Sequence, residues 1–286
     1  MKIIPFNALA CPLDGAPLRT GGAAWRCPAG HSFDIAAQGY TNLLPVQNKR
    51  SRDPGDSKEM VAARRRFLEN SAYQPIAAAV NQAALADLPP ARTVSCLDAG
   101  CGEGYYLRQL AESAAKNDNG QALALLGLDI SKWAVLAAAK QDKRSGWVVG
   151  SNANLPVRPS TLDRVLCMFG FPVYAEFARV LRNGGVLLQV DAGPDHLREL
   201  REIIYPALKE ERAAASVTPA GFAFDSTTSV RYPLELTGQA QIADLLAMTP
   251  HLYRASAEGR AKAAALTGLE VTVDVRLNGY RRITSP

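Results

Sequence analysis

Asp98-Ala99-Gly100-Cys101-Gly102-Glu103-Gly104 decides how this chain folds. The stretch follows an apolar strand predicted over 94–98 and opens a helix predicted after Gly104, which puts it at the carboxyl edge where open α/β sheets bind ligands. Glycine suits such a loop because a side chain would hold the backbone away from a ligand, and because tight turns call on positive φ. The next predicted strand, 122–129, ends in the carboxylate of Asp129, 25 residues beyond Gly104. A carboxylate there can accept both hydroxyls of a ribose, a need shared by nucleoside cofactors.

The spacing is G-x-G-x-G rather than the dinucleotide G-x-G-x-x-G, and the loop opens on Asp98. A pyrophosphate wants helix N-terminal amides without neighbouring anions. The cationic amino and sulfonium groups of S-adenosylmethionine instead suit Asp98 and Glu103. Gly100, Gly102, Gly104 and Asp129 complete a candidate site for that cofactor.

Working outward, strands predicted at 94–98, 122–129, 147–150, 162–168 and 186–191 alternate with helices after Gly104, from Ser131 and over 173–182. That alternation means a mostly parallel sheet with crossover helices on both faces, a Rossmann-like α/β fold. Beyond Asp191 only a helix over 196–205 and a strand over 269–276 are legible. Upstream, helices are predicted over 58–70 and 73–88, with Pro75 in a first turn and Pro89-Pro90 as the stop. The connector QNKRSRDPGDSKEMVAARRR, 47–66, holds seven basic residues against three acidic ones. Lys49, Arg50, Arg52 and the run Arg64-Arg65-Arg66 are candidate phosphate contacts, although such a run also simply solvates a helix face. Residues 1–37 are turn-rich and form a small separate module, so the expected division is 1–37, 38–92 and 93–286.

Composition excludes several classes. With 48% apolar and 21% charged residues the chain is neither disordered nor fibrous. No apolar run nears the roughly 18 to 20 residues that cross a bilayer, so no membrane association is expected. A net charge of +5 names no partner, and five cysteines, an odd count, favour a reducing compartment, the cytoplasm, over a disulfide framework. Lys2 and Ala8-Leu9-Ala10-Cys11 mimic a secretory signal, but Pro5 and Asn7 interrupt the short apolar region. Cys11, Cys27 and His31 suit a tetrahedral zinc site, with Cys27-x3-His31 as one knuckle. Cys96, Cys101 and Cys167 fall in strands or the glycine loop and read as buried small residues.

Longer stretches carry a closer likeness: CPAGHSFD (27–34), GYTNLLPVQNKRSRDPGDSKEM (39–60), YQPI (73–76), DAGCGEGYY (98–106), LDISK (128–132) and GPDHL (193–197). In that order they resemble the bacterial ribosomal RNA large-subunit methyltransferase A family, over nearly the whole chain and loosely only after about Ile204. The resemblance implies a class I fold that methylates N1 of a guanine in a hairpin of 23S ribosomal RNA with S-adenosylmethionine, a zinc-ribbon-like RNA-recognition module, and a homodimer. It also implies cofactor contacts from Tyr73, Gly102, Glu103 and His196. The family's fourth metal ligand is a cysteine where this chain has Asp14, so Cys11, Asp14, Cys27 and His31 leave a zinc site and a metal-free ribbon both open. Two readings compete with the family's activity: methylation of a small molecule, and a non-catalytic RNA-binding protein. No catalytic base is assigned. Phe169 and Phe171, after the strand at 162–168, are placed to stack a target base or to pack in the core. Asp191 is a further carboxylate at a strand end with no family role.

Overall fold

The computed structural model describes residues 1–48, 51, 53–90, 92–117, 120–207 and 218–284. Short strands come first: β1 (Lys2–Pro5), β2 (Arg19–Gly21), β3 (Ala24–Arg26), β4 (Ser32–Asp34) and β5 (Tyr40–Asn42). Helices α1 (Lys58–Glu69) and α2 (Gln74–Leu85) follow. The alternating part runs β6 (Val94–Ala99), α3 (Tyr105–Ala115), β7 (Ala122–Asp129), α4 (Lys132–Gln141), β8 (Gly146–Val149), β9 (Leu162–Met168), α5 (Tyr174–Val180), β10 (Leu181–Ala192) and α6 (Arg198–Ile204). Last come β11 (Phe222–Thr237), α7 (Gln239–Met248), α8 (His251–Arg254), α9 (Ala257–Ala264) and β12 (Gly268–Arg282).

One large sheet has the order β11-β12-β10-β9-β6-β7-β8-β5. Strands β5 through β10 pair in parallel, and β12 and β11 close the far side antiparallel. Both faces of β6 and β9 are buried throughout, which is why neither sequence alternates between apolar and exposed polar residues; Ser95, Asp98, Asp163 and Arg164 are buried with the apolar side chains. The fold expected from the glycine loop outward, a mostly parallel sheet flanked by helices, is the fold observed.

Strand β1 adds to the same sheet: its residues pair with Ala122 to Leu125 of β7, while β8 takes Leu126 to Asp129. Two strands thus share one edge of β7, end to end. Strand β5 then pairs with β8. Between them, β2, β3 and β4 form a separate ribbon whose Leu18, Cys11 and Cys27 join one apolar cluster with Leu155 and Val157 of the large body. Trp25 and Phe33 lie opposite each other across β3 and β4 and are partly buried against that cluster. The ribbon therefore supplements its small core by docking, as a module of that size must.

Long β11 was not legible from sequence. It sits at the sheet margin with most side chains exposed, so nothing forces an apolar alternation upon it.

Candidate active site and metal centre

The carboxyl ends of β6, β7, β9 and β10 form a rim over which the glycine loop bends. Gly100, Gly102 and Gly104 have φ of 95°, 55° and 84°, the left-handed region that only glycine enters freely. Gly100 and Cys101 both donate to the Leu128 carbonyl, at 2.8 and 2.9 Å. The Gly102 N–H donates to Asp129 Oδ2 at 2.9 Å and the Ser131 N–H to Oδ1 at 2.8 Å. Asp129 thus faces the loop as expected. Burial raises its pKa, and these two amide donors oppose the rise.

Asp98 is fully buried, and neither carboxylate oxygen meets a donor among the described residues. Burial first, and the Asp129 charge second, push its pKa up to about 7. Glu103 is also buried; its Oε2 accepts from Arg108 and Gln141, both at 2.9 Å, while Oε1 has no partner among the described residues. On the loop after β8, Asn152 Oδ1 likewise has no partner among the described residues. Buried acceptors without donors are costly unless a ligand supplies hydrogen bonds or positive charge. S-adenosylmethionine, a cation with amino and hydroxyl donors, fits this set. Asn152 was not singled out from sequence; an isolated asparagine after a strand carries no signal of its own.

Two further expected residues converge. Tyr73, just before α2, has its hydroxyl 3.4 Å from His196 Nε2. The Asp274 backbone N–H donates to His196 Nδ1 at 3.3 Å, so the network assigns the ring proton to Nε2. Burial lowers His196 to about 4 and holds it neutral. Phe169, at a strained φ of 52°, stacks on His196 with centroids 5.7 Å apart and lies 6.0 Å from Tyr73. Phe169 therefore stacks within the chain, whereas Phe171 is 90% exposed.

The basic connector reaches this rim. Gly55, at φ 85°, lies so close to Ile130 and Ser131 that a Cβ would come within 2.9 Å of both, and Ser131 Oγ donates to the Asp56 carbonyl at 2.7 Å. Arg64 of α1 pairs with Asp56, donates to the Met248 carbonyl at 3.0 Å and lies over Gly102. The Asp53-Pro54-Gly55-Asp56 break is thus a turn seated on the rim. A shallow cleft beside it is lined by Leu44, Pro54, Ile130, Lys132, Trp133 and Val149. The arginine run is committed inside the chain: Arg65 pairs with Glu69 and Arg66 makes two bonds to Asp244. Each of its three cations therefore holds an acidic partner; Arg65 and Arg66 remain exposed on the helix face, as a solvated run does, while Arg64 is half-buried at the rim. Lys49, Arg50 and Arg52 lie outside the described residues.

Cys96, Cys101 and Cys167 are buried, and burial raises all three thiols. In the ribbon, Cys11 Sγ, Asp14 Oδ2 and Cys27 Sγ lie 3.4, 3.1 and 3.3 Å from His31 Nδ1, and Asp14 lies 3.4 Å from Cys27. One ligand atom from each of the four falls within 4.8 Å of the others. Bonds of about 2.0 to 2.3 Å in a tetrahedron put ligand atoms about 3.3 to 3.8 Å apart, so the set fits zinc with a carboxylate in place of one thiolate. Turns at Gly15 and Gly30, each donating to the preceding cysteine carbonyl, bring the ligands together.

A glycine loop on β6, an acid ending β7 and unpartnered acceptors between them define a class I S-adenosylmethionine-dependent methyltransferase. A methyltransferase-domain family model matches residues 96–185, and a model described as RlmA, N-terminal, a zinc ribbon, matches residues 9–52. Over 93% of this chain and 94% of its own length, a Streptomyces fradiae protein named 23S rRNA (guanine(748)-N(1))-methyltransferase is 34% identical. Two proteins with the provisional name 23S rRNA (guanine-N(1)-)-methyltransferase, from Micromonospora griseorubida and Bacillus subtilis, are 37% and 31% identical over 96% of this chain and 97% of theirs. The chain belongs to the 23S rRNA (guanine-N1)-methyltransferase family.

Proposed function

We propose that this chain transfers the methyl group of S-adenosylmethionine to N1 of a guanine in a hairpin of 23S ribosomal RNA. The observation that carries the reading is the buried carboxylate of Asp98, which meets no donor among the described residues, beneath a loop whose far side is tied to Asp129. It suits a cationic nucleoside, and the family membership names the acceptor. Asp129 receives the ribose hydroxyls, the backbone of Gly100, Gly102 and Gly104 lies against the amino-acid tail, and Asp98 and Glu103 supply negative charge. Tyr73 and His196 line the side toward β10. When bound, the cofactor supplies an electrophilic methyl group.

Holding two substrates in line can remove roughly 7 to 11 kcal/mol of the barrier, so positioning carries much of the rate. Extruding a base costs a few kcal/mol, which phosphate contacts offset. RNA recognition falls to the ribbon (1–37) and connector (38–92), and the transfer to 93–286. Zinc held by Cys11, Asp14, Cys27 and His31, a homodimer and a cytoplasmic location complete the reading. Among the described residues, no helix is long and apolar enough to cross a membrane.

The test is to incubate the purified chain with labelled cofactor and 23S RNA, then map 1-methylguanine by reverse-transcription stops and mass spectrometry. One modified hairpin guanine is expected. Label passing only to metabolites would favour a small-molecule enzyme, and no cofactor binding by calorimetry would favour a non-catalytic RNA-binding protein.

A further inference from the structure

Guanine N1 carries a proton that must leave as the new bond forms. The bases already described at the rim are poorly placed to take it. Asp98 is closed off beneath the loop, Glu103 is just as buried with one oxygen held by Arg108 and Gln141, and Asp129 holds two backbone amides. His196 presents a bonded Nδ1 and a protonated Nε2.

Asp191 is different. It ends β10, and the parallel register that sets Val190 beside Met168 puts Asp191 next to Phe169, whose N–H donates to the Val190 carbonyl at 2.9 Å. The carboxylate therefore stands at the root of the Phe169–Phe171 loop. A relay on the same face orients it: the Tyr174 hydroxyl donates to Gln189 Oε1 at 3.0 Å, which turns the Gln189 amide nitrogen toward Asp191 Oδ2 at 2.8 Å. Among the described residues no donor meets Oδ1. Arg276 is its register partner on β12, yet the two form no ion pair. Among the described residues the network leaves one oxygen of a fixed carboxylate free at the root of the loop that carries Phe171, an almost wholly exposed apolar ring that a stacked base would cover.

We propose that Asp191 accepts the N1 proton of the target guanine, held against Phe171, and that Gln189 and Tyr174 position it. The inference rests on the reading above. As N1 attacks, the N1–H bond breaks and its electron pair becomes the N1–CH3 bond. The proton passes to Asp191 Oδ1 and later to solvent, while the methyl–sulfur electron pair stays on sulfur. One cation enters as sulfonium and one leaves as a proton, so charge balances.

The test measures kcat, RNA KM and cofactor affinity for the wild type, Asp191→Asn, Asp191→Glu and Tyr174→Phe across pH. A positioned base contributes typically 10² to 10⁴-fold, so Asp191→Asn should lose roughly 100-fold or more in kcat. Its cofactor affinity should be unchanged, and its rate should keep climbing with pH where the wild type levels off, because solvent hydroxide then removes the proton. Asp191→Glu should recover part of the rate and Tyr174→Phe should lose less than Asp191→Asn. Wild-type kcat and pH profile in Asp191→Asn would overturn the inference while leaving the reading intact, as would a loss matched by lost cofactor affinity. A wild type that never methylates guanine N1 would overturn both.

Discussion

Burial, and after it the charge of Asp129, push the Asp98 pKa up to about 7, since no donor among the described residues reaches the carboxylate. Its pKa stands above the ordinary value, so between about pH 4 and pH 7 the folded chain binds the proton that the unfolded chain has released. This group's contribution to stability is therefore greatest at low pH and falls as pH rises toward 7. A bound cation reverses the preference, since it favours the ionised carboxylate. Cofactor affinity should rise as pH climbs through about 7, and below that pH binding should release a proton. Calorimetry in two buffers of different ionisation enthalpy measures the release. Asp98→Asn should bind weakly and without this pH dependence; an unchanged pH dependence would assign the proton elsewhere. The loop sequence placed Asp98 at the site, but its lack of partners depends on what packs around it.

At the scale of elements, the ribbon shows what one substitution does to a local fold. Turns at Gly15 and Gly30 present Cys11, Asp14, Cys27 and His31 to a common centre, and strands of three residues have little else to hold them. A carboxylate oxygen is a weaker partner for a thiophilic zinc site than sulfur. Purified protein should contain about one zinc per chain by elemental analysis. Chelation should lower the melting temperature, Asp14→Cys should slow zinc loss to a chelator, and Asp14→Ala should speed it. Equal melting curves with and without chelator, for protein carrying no zinc, would mean that docking onto Leu155 and Val157 alone holds the ribbon.

Across the whole molecule, the connector runs from the ribbon to the rim of the large sheet. Its Gly55 turn rests on Ile130 and Ser131, and Arg64 lies over Gly102, so the segment that follows the ribbon also covers the rim. Arg64, Arg65 and Arg66 are paired inside the chain, so of the six candidate phosphate contacts Lys49, Arg50 and Arg52 are the ones to test. Replacing all three with glutamine should weaken RNA binding at least tenfold at low salt and flatten its salt dependence, because fewer counterions are released. Cofactor affinity should stay as it was. Filter binding across a salt series together with calorimetry checks both, and unchanged RNA binding would shift recognition to the ribbon.

Periodicity and spacing by themselves determined the parallel strands, the helices between them, and the glycine bend that follows Asp98, because two-sided burial and a glycine bend leave local marks in a chain. Cys11, Cys27 and His31 were legible for the same reason, as ligand types at knuckle spacing. Only the tertiary structure decided that β1 and β8 share an edge of β7, that Arg64 folds back over Gly102, that Asn152 faces inward unpartnered, and that Tyr174 and Gln189 aim Asp191. Each of these depends on residues distant in sequence meeting in a packed body, and contacts of that kind impose no period on the sequence that makes them.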